Sequence, residues 1–403
     1  MPVLRRDADF RALWVGQTAS QLGEHTSLVI LPLVAVLTLG VGADQLGALR
    51  AVGQAPLLLL TLFAGVWVDR WLTRTIMMLA DLGRALTLCG ITAVALLGGL
   101  TLPVLLAAAF AVGAMSVLFD VAYQASLARL IARDQLLRGN SAIEGSRSAA
   151  QIGGPALGGT LTSLLSAPFA AACSALFFVV SFVAAARIRR REVVASRPGS
   201  IRDGVRFVAR NPLLRAVCMA SAAYQFSFAA VMTACLVFLP RELHLSGAEV
   251  GLVLAATGPG ALTGSLLAAR LPGRLGYGPV VVGAAVIGNG VMLAVPALHG
   301  GSVPVLILIN VVFGAFGQLV NVTIMAIRQS VTPPAMQGRV AATVTFAGMG
   351  VTPLGSLLGG LLAAEWGLRT ALLVAAAGMM LSPLVMVLSP LARLGRVLND
   401  DLP

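Results

Sequence analysis

The chain has 403 residues, 58% of them hydrophobic and 11% charged, with a mean hydropathy of +0.92 and a formal net charge of +12. This balance excludes a water-soluble globule. It also excludes nucleic-acid binding as the reason for the positive charge, because no soluble domain carries a basic face; the chain reads as an integral membrane protein.

A helix needs roughly 20 apolar residues to cross the hydrocarbon. Twelve such segments are predicted, near 11–39, 46–67, 75–98, 103–127, 140–164, 168–187, 214–239, 248–269, 279–298, 303–326, 340–363 and 370–390. All 28 basic residues are arginine. With the N-terminus inside, only Arg50, Arg241 and Arg369 fall on or near the outer side, which fits the positive-inside rule and places both termini in the cytoplasm. The N-terminal Arg5, Arg6, Asp7 and Asp9 precede an apolar run too long for a signal peptide, so it reads as an uncleaved first helix. Cys89, Cys173, Cys218 and Cys235 lie within predicted spans without metal-ligand spacing, and no cofactor or metal is expected.

Helix one carries Glu24 about 20 Å above its inner end, with Gln17 and Gln21 forming a polar stripe below it. No arginine is expected at that depth, and an isolated carboxylate suits a group that must take up and release protons. His25 points about 100° away around the helix. A second layer of charge is expected within roughly 6 to 15 Å of the cytoplasmic ends: Asp81 and Arg84, Asp120, and Glu144 with Arg147. Asp81 with Arg84 and Glu144 with Arg147 are i,i+3 pairs on single helices.

The stretch Arg147 to Gly159 is apolar yet nearly free of large side chains. Gly154, Pro155, Gly158 and Gly159, with Ala156 among them, suit a close and bendable helix crossing. Leucine at position 158 should block that approach, while alanine should largely be tolerated. Thr352 to Gly360 repeats the theme about two hundred residues later, as a parallel internal repeat would.

The polar segment from Arg189 to Pro212 joins the halves. Ile201, Val205 and Val208 repeat at helical spacing with Arg202, Arg206 and Arg210 on other faces, so an amphipathic helix on the inner leaflet is expected. The second half has no acidic or basic residue well inside a span. Its polar candidates are Tyr224, Gln225, Asn289, Asn310, Gln318 and Asn321.

The fragments Gly65 to Arg74 (GVWVDRWLTR), Asp81 to Arg84 (DLGR), Phe119 to Ser141 and Gly154 to Gly159 (GPALGG) resemble the major facilitator superfamily. Together they look like its transmembrane secretion effector branch, which includes macrolide and siderophore exporters. The resemblance implies an all-α integral membrane fold of twelve transmembrane helices in two six-helix bundles. These are expected at 1–187 and 213–403, with a cytoplasmic linker at 188–212. It also implies a conformational latch at Asp69, Arg70 and Arg74, to which Asp81 and Arg84 are assigned, and export rather than import through the helix-five signature. Leu72 stands where the superfamily usually has glycine, and the helix-four arginine of many antiporters is absent.

The expected function is secondary export, from the inner (plasma) membrane, of an amphipathic drug, antibiotic or siderophore-like metabolite by alternating access of the two halves. Proton antiport would run through Glu24, Asp120, Glu144 and Arg147. Gln17, Gln21, Gln151, Tyr224, Gln225, Gln318 and Asn321 are candidate cavity residues. A lipid flippase or a transport-inactive sensor of the same fold is the alternative. An enzyme is not expected, because His25, His244 and His299 are dispersed and no GxxxxGK[ST] occurs. The expected partners are the small molecule, protons and the bilayer, with the chain acting as a monomer.

Overall fold

The computed structural model describes residues 7–130, 136–188, 201–299, 302–333 and 336–396, and within them the side chains of 61–70, 127–130, 136–142 and Glu144, among others, lie outside the description. The described residues are helical and contain no strand. The first six long helices are α1 Ala8–Leu33, α2 Ala43–Arg70, α3 Thr73–Leu96, α4 Leu102–Leu130, α5 Leu136–Leu164 and α6 Ala167–Ala186. The linker forms α7 Ile201–Arg210. Then follow α8 Pro212–Arg241, α9 Gly247–Ala255, α10 Thr257–Ala268, α11 Leu271–Leu275, α12 Tyr277–Val291, α13 Val303–Val331, α14 Gln337–Met349, α15 Thr352–Trp366, α16 Leu368–Met379 and α17 Leu381–Val387.

Ten spans among the described residues are long and apolar enough to cross a membrane, some of them made of two consecutive helices. The other two expected segments fall in α2 and α5, which are 28 and 29 residues long.

Local chemistry sets the helix ends. Asp7 caps α1 by accepting from the amides of Asp9 (3.0 Å) and Phe10 (3.2 Å). Pro32 supplies no N–H to the Leu28 carbonyl, and the helix beyond it continues into a π turn, Val34–Thr38. Asn211 caps α8 in the same way, accepting from Leu213 (3.0 Å) and Leu214 (3.1 Å), with Pro212 in the first turn. Asn211→Ala should cost about 1 kcal/mol of stability. Thermal unfolding in detergent should read this as a small downward shift without loss of transport.

The second half departs from the expected continuous spans. Segment 248–269 is the pair α9 and α10, 340–363 is α14 and α15, and 370–390 contains α16 and α17. In each case the first helix ends four residues before a proline, at Ala255 before Pro259, Met349 before Pro353 and Met379 before Pro383. The proline supplies no N–H to that carbonyl and its ring crowds it, so the ladder stops there. Pro56 and Pro155 lie inside helices that continue through them.

The chain separates into two compact units, Met1–Arg197 with Leu245–Ala255, and Pro198–His244 with Ala256–Pro403. In the first unit Asp81 and Arg84 are fully buried while Leu86 and Leu176 are each 63% exposed. The exposed leucines find their apolar medium in lipid tails, and the ions find polar partners only inside the bundle. The second unit closes around Leu214, Val217, Val281, Ile327, Val340 and Met386.

The linker forms a helix where one was expected, and its apolar side packs in part on the second unit. Val208 of α7 is buried in the core of the second unit, and Gly204 lies against Arg339 so closely that a methyl group there would meet the Arg339 carbonyl oxygen at 2.9 Å. A ten-residue helix holds its fold more strongly on a protein surface, where its apolar side is covered, than alone at an interface. Gly204→Val should therefore loosen the linker from α14 and lower thermal stability by about 1–3 kcal/mol, as overpacking does.

Candidate transport site

Arg84, on α3, is the centre of the ionisable cluster in the first unit. One terminal nitrogen pairs with Asp81 and donates to Ser20 Oγ at 2.9 Å. The other donates to Ser116 Oγ at 3.4 Å and stands 3.9 Å from Glu24 Oε2. The rings of Phe119 and Phe178 lie 4.6 and 4.4 Å from the guanidinium carbon, so the cation is held by π faces from α4 and α6. Phe119 and Phe178 are themselves fully buried.

One sequence expectation is overturned: an arginine, Arg84, stands 3.9 Å from Glu24, where none was expected. Asp81 and Arg84, expected in the cytoplasmic latch, lie in the same cluster as Glu24. Residue counts along single helices do not place one helix against another.

Asp120, next to Phe119, lies within electrostatic reach of Glu24, Arg147 and Arg84. His25 is likewise within reach of Arg147 on α5. The structure thus brings together Glu24, Asp81, Arg84, Asp120 and Arg147, with His25 at the edge. Glu144 lies outside the described side chains. Glu24 keeps 25% of its side chain exposed whereas Asp81 and Arg84 keep none. Glu24 is therefore the part-exposed member of that trio.

Gln17 and Gln21, expected to line a cavity, are only 3% and 4% exposed and face the protein interior. Gln17 Oε1 makes no hydrogen bond there, and neither does Arg84 Nε. Gln151 is exposed on α5. Of the expected latch, the side chains of Asp69 and Arg70 lie outside the described residues, and Arg74 donates to the carbonyl of Ala186 at the end of α6. Ser20, Ser116, Phe119 and Phe178 were missed as functional positions. Ser20 falls one turn before Glu24 on α1 and Phe119 adjoins Asp120, but nothing in one dimension pairs them with Arg84.

The helix-five glycines form two contacts on α5. Gly154 lies against the His25 backbone and Cβ, and Gly158 against Thr26 and Val29 of α1. Gly159 and the Pro155 carbonyl meet Gly247 and Gly251 of α9. A Cβ at position 158 would stand 2.9 Å from the Thr26 carbonyl oxygen. Alanine is therefore not the harmless replacement the sequence suggested, because the obstacle is backbone and cannot swing aside.

The same seam recurs in the second unit, where Gly355 and Gly359 of α15 lie against Phe226 and Ala230 of α8. Positions 25, 29, 154 and 158 match 226, 230, 355 and 359 at one constant spacing of roughly 200 residues, as a parallel repeat requires. At that spacing Glu24 corresponds to Gln225 and Asp120 to Asn321. The two carboxylates thus have the matching amides as their counterparts. The buried residues Ile76, Met77, Ala80, Leu88 and Ile91 of α3 align, at a spacing three residues longer than that of the glycine seam, with Val280, Val281 and Ala284 of α12 and with Met292 and Val295 of the 3-10 turn Met292–Ala297 that follows it. In that register Asp81 corresponds to Ala285 and Arg84 to Gly288.

Tyr224, Phe228 and Phe313 stack in series in the second unit, with centroids 5.5 and 5.6 Å apart. Tyr224, Gln225 and Gln318 are half-buried and Asn321 is exposed. At the other end of α8, Arg369 pairs with Glu242 (3.3 Å) and donates to the Pro296 carbonyl (2.7 Å). Both partners of the ion pair are more than a third exposed. Arg369→Ala should therefore cost only about 1 kcal/mol or less and leave transport intact.

Residues 2–399 match the family described as transmembrane secretion effector. The chain belongs to that family. Curated relatives of this secretion effector include a multidrug efflux pump, Tap, of Mycobacterium bovis, 28% identical over 92% of this chain and 91% of the relative. An uncharacterised MFS-type transporter, YfiS, of Bacillus subtilis is 27% identical over 93% and 91% of the two chains. Among solved structures, an inward-facing bacterial homologue of the iron transporter ferroportin superposes with a TM-score of 0.74 at 18% identity, covering 94% of this chain and 98% of that one. An inward-facing, occupied bacterial homologue of the lysosomal transporter Spinster gives 0.74 at 13%, covering 96% of each chain. The fold is that of the major facilitator transporters. The chain is accordingly a multi-pass membrane transporter of small molecules and not an enzyme.

Proposed function

We propose that this secretion effector exports an amphipathic organic molecule across the inner membrane, both termini cytoplasmic, by alternating access in exchange for protons. Glu24 is the coupling acid and Asp120 its electrostatic partner. The observation that carries this is the position of Glu24: a part-exposed carboxylate beside a fully buried arginine, whose counterpart in the other half is the amide Gln225. An ionisable side chain inside a membrane bundle is costly unless it is used, and a repeat that needs only shape and hydrogen bonding keeps the amide. The multidrug efflux pump among the relatives supports export of a drug-like substrate. Gln225, Gln318 and Asn321, with the stacked Tyr224, Phe228 and Phe313, supply neutral amide and ring surfaces suited to an amphipathic molecule.

The test is flux of ethidium in liposomes containing the purified protein, with and without an imposed pH gradient. Uphill movement only with the gradient is the expected result. Equal flux in both conditions, or translocation of a fluorescent phospholipid in place of the dye, would overturn the reading in favour of a flippase.

A further inference from the structure

Arg84 has two carboxylates on one guanidinium. Asp81 is in contact and Glu24 stands 3.9 Å off, a gap that a shift of roughly 1 Å closes to a normal charge-assisted hydrogen bond. The present pairing is incomplete on the guanidinium side, since Arg84 Nε is buried without a hydrogen-bond partner, while Asp81 has Ser20 and Ser181 within reach besides Arg84. The rings of Phe119 and Phe178 hold the cation through their π faces without forming a directional bond to either carboxylate.

The repeat shows that packing does not require these ions. Where the first unit buries Asp81 and Arg84, the second buries Ala285 and Gly288 in the same register. Replacing a buried ion pair by apolar residues is often neutral or stabilising, so a pair kept in one half alone has a use other than holding the fold.

We propose that Arg84 is the shared counter-ion of the coupling site. It stays on Asp81 while Glu24 carries a proton and moves onto Glu24 when that proton leaves, so proton occupancy is converted into a side-chain displacement at the meeting of α1, α3, α4 and α6. One proton passes from water to the Glu24 carboxylate and back to water; no other bond is made or broken. The charged groups facing Arg84 among the described side chains are Asp81 on its own helix, Glu24 on α1 and Asp120 on α4. Helix α6 contributes the Phe178 ring, and Arg147 with His25 stands beyond Asp120 and Glu24. Arg84 is thus a positioning residue acting through Glu24.

This inference rests on the proton-coupled reading, and the experiment separates the two. Dye counterflow in liposomes is followed across pH for wild type, Arg84→Gln, Asp81→Asn, and the double replacement of Asp81 by Ala and Arg84 by Gly. The double variant copies the other half, so it is expected to melt near the wild type even if a single charge deletion unfolds. Arg84→Gln should move the pH profile to the alkaline side by about one unit or more, because a carboxylate that loses a neighbouring cation holds its proton more tightly. Asp81→Asn frees the guanidinium for Glu24 and should move the profile the opposite way. The double variant should follow Arg84→Gln, with gradient-driven accumulation down at least about tenfold as for loss of an essential charge.

Profiles that stay in place in all three variants, with Glu24→Gln still uncoupling the protein, would overturn the counter-ion role and leave the coupling acid standing. Uphill export that survives Glu24→Gln would overturn both.

Discussion

Glu24→Gln is expected to abolish dye export driven by a pH gradient, with accumulation falling at least about tenfold toward passive leak. Glutamine keeps the size and most of the hydrogen bonding of glutamate but fixes the neutral form, and it is the residue the other half carries at position 225. The fold should therefore accept it, and melting temperature and yield should stay close to wild type. Binding separates substrate classes: a neutral or anionic substrate should still bind, whereas a cationic one that contacts the carboxylate should bind less. The pH dependence of binding should flatten in the variant, since the titrating side chain is gone. Undiminished uphill export by Glu24→Gln would move the proton path to Asp120 and its neighbour Arg147.

Gly158→Leu is expected to stop transport through a steric effect alone. The added side chain would drive into the Thr26 carbonyl and the Val29 side chain of α1, contacts that a single Cβ already makes at 2.9 and 3.3 Å. Overpacking of this kind costs about 1–3 kcal/mol even where neighbours relax, and here the first obstacle is backbone. Gly158→Ala should therefore also reduce transport, by less than leucine, because α1 must give by only a few tenths of an ångström. Measuring transport per folded molecule, with folding monitored by size-exclusion profile and melting, keeps the two variants comparable. Full activity in both would show that α1 and α5 do not depend on close approach during the cycle. Gly359, which meets the Ala230 backbone in the second unit, provides the matching test of the repeat.

The sequence by itself determined the class, the approximate spans and the recurrence of the glycine seam. These are one-dimensional properties: hydropathy runs, the absence of large side chains between Gly154 and Gly159, and a motif repeated at Gly355 and Gly359. It also marked the ionisable residues, since any charge within an apolar run stands out whatever the fold around it. What it could not supply was which charges share a site. Arg84 and Glu24 lie on different helices, and counting residues from each helix end assigned them to separate layers. Only the folded bundle brings the guanidinium within 3.9 Å of the carboxylate. The break points of the second half were likewise marked by Pro259, Pro353 and Pro383. Pro56 and Pro155 looked the same in sequence yet lie within unbroken helices, because neighbouring backbone decides whether a freed carbonyl is accommodated. The partner of each glycine, and so the cost of filling it, was also a tertiary matter. Position 158 admits no Cβ without displacement because the Thr26 carbonyl of α1 faces it, a neighbour 132 residues away in the chain.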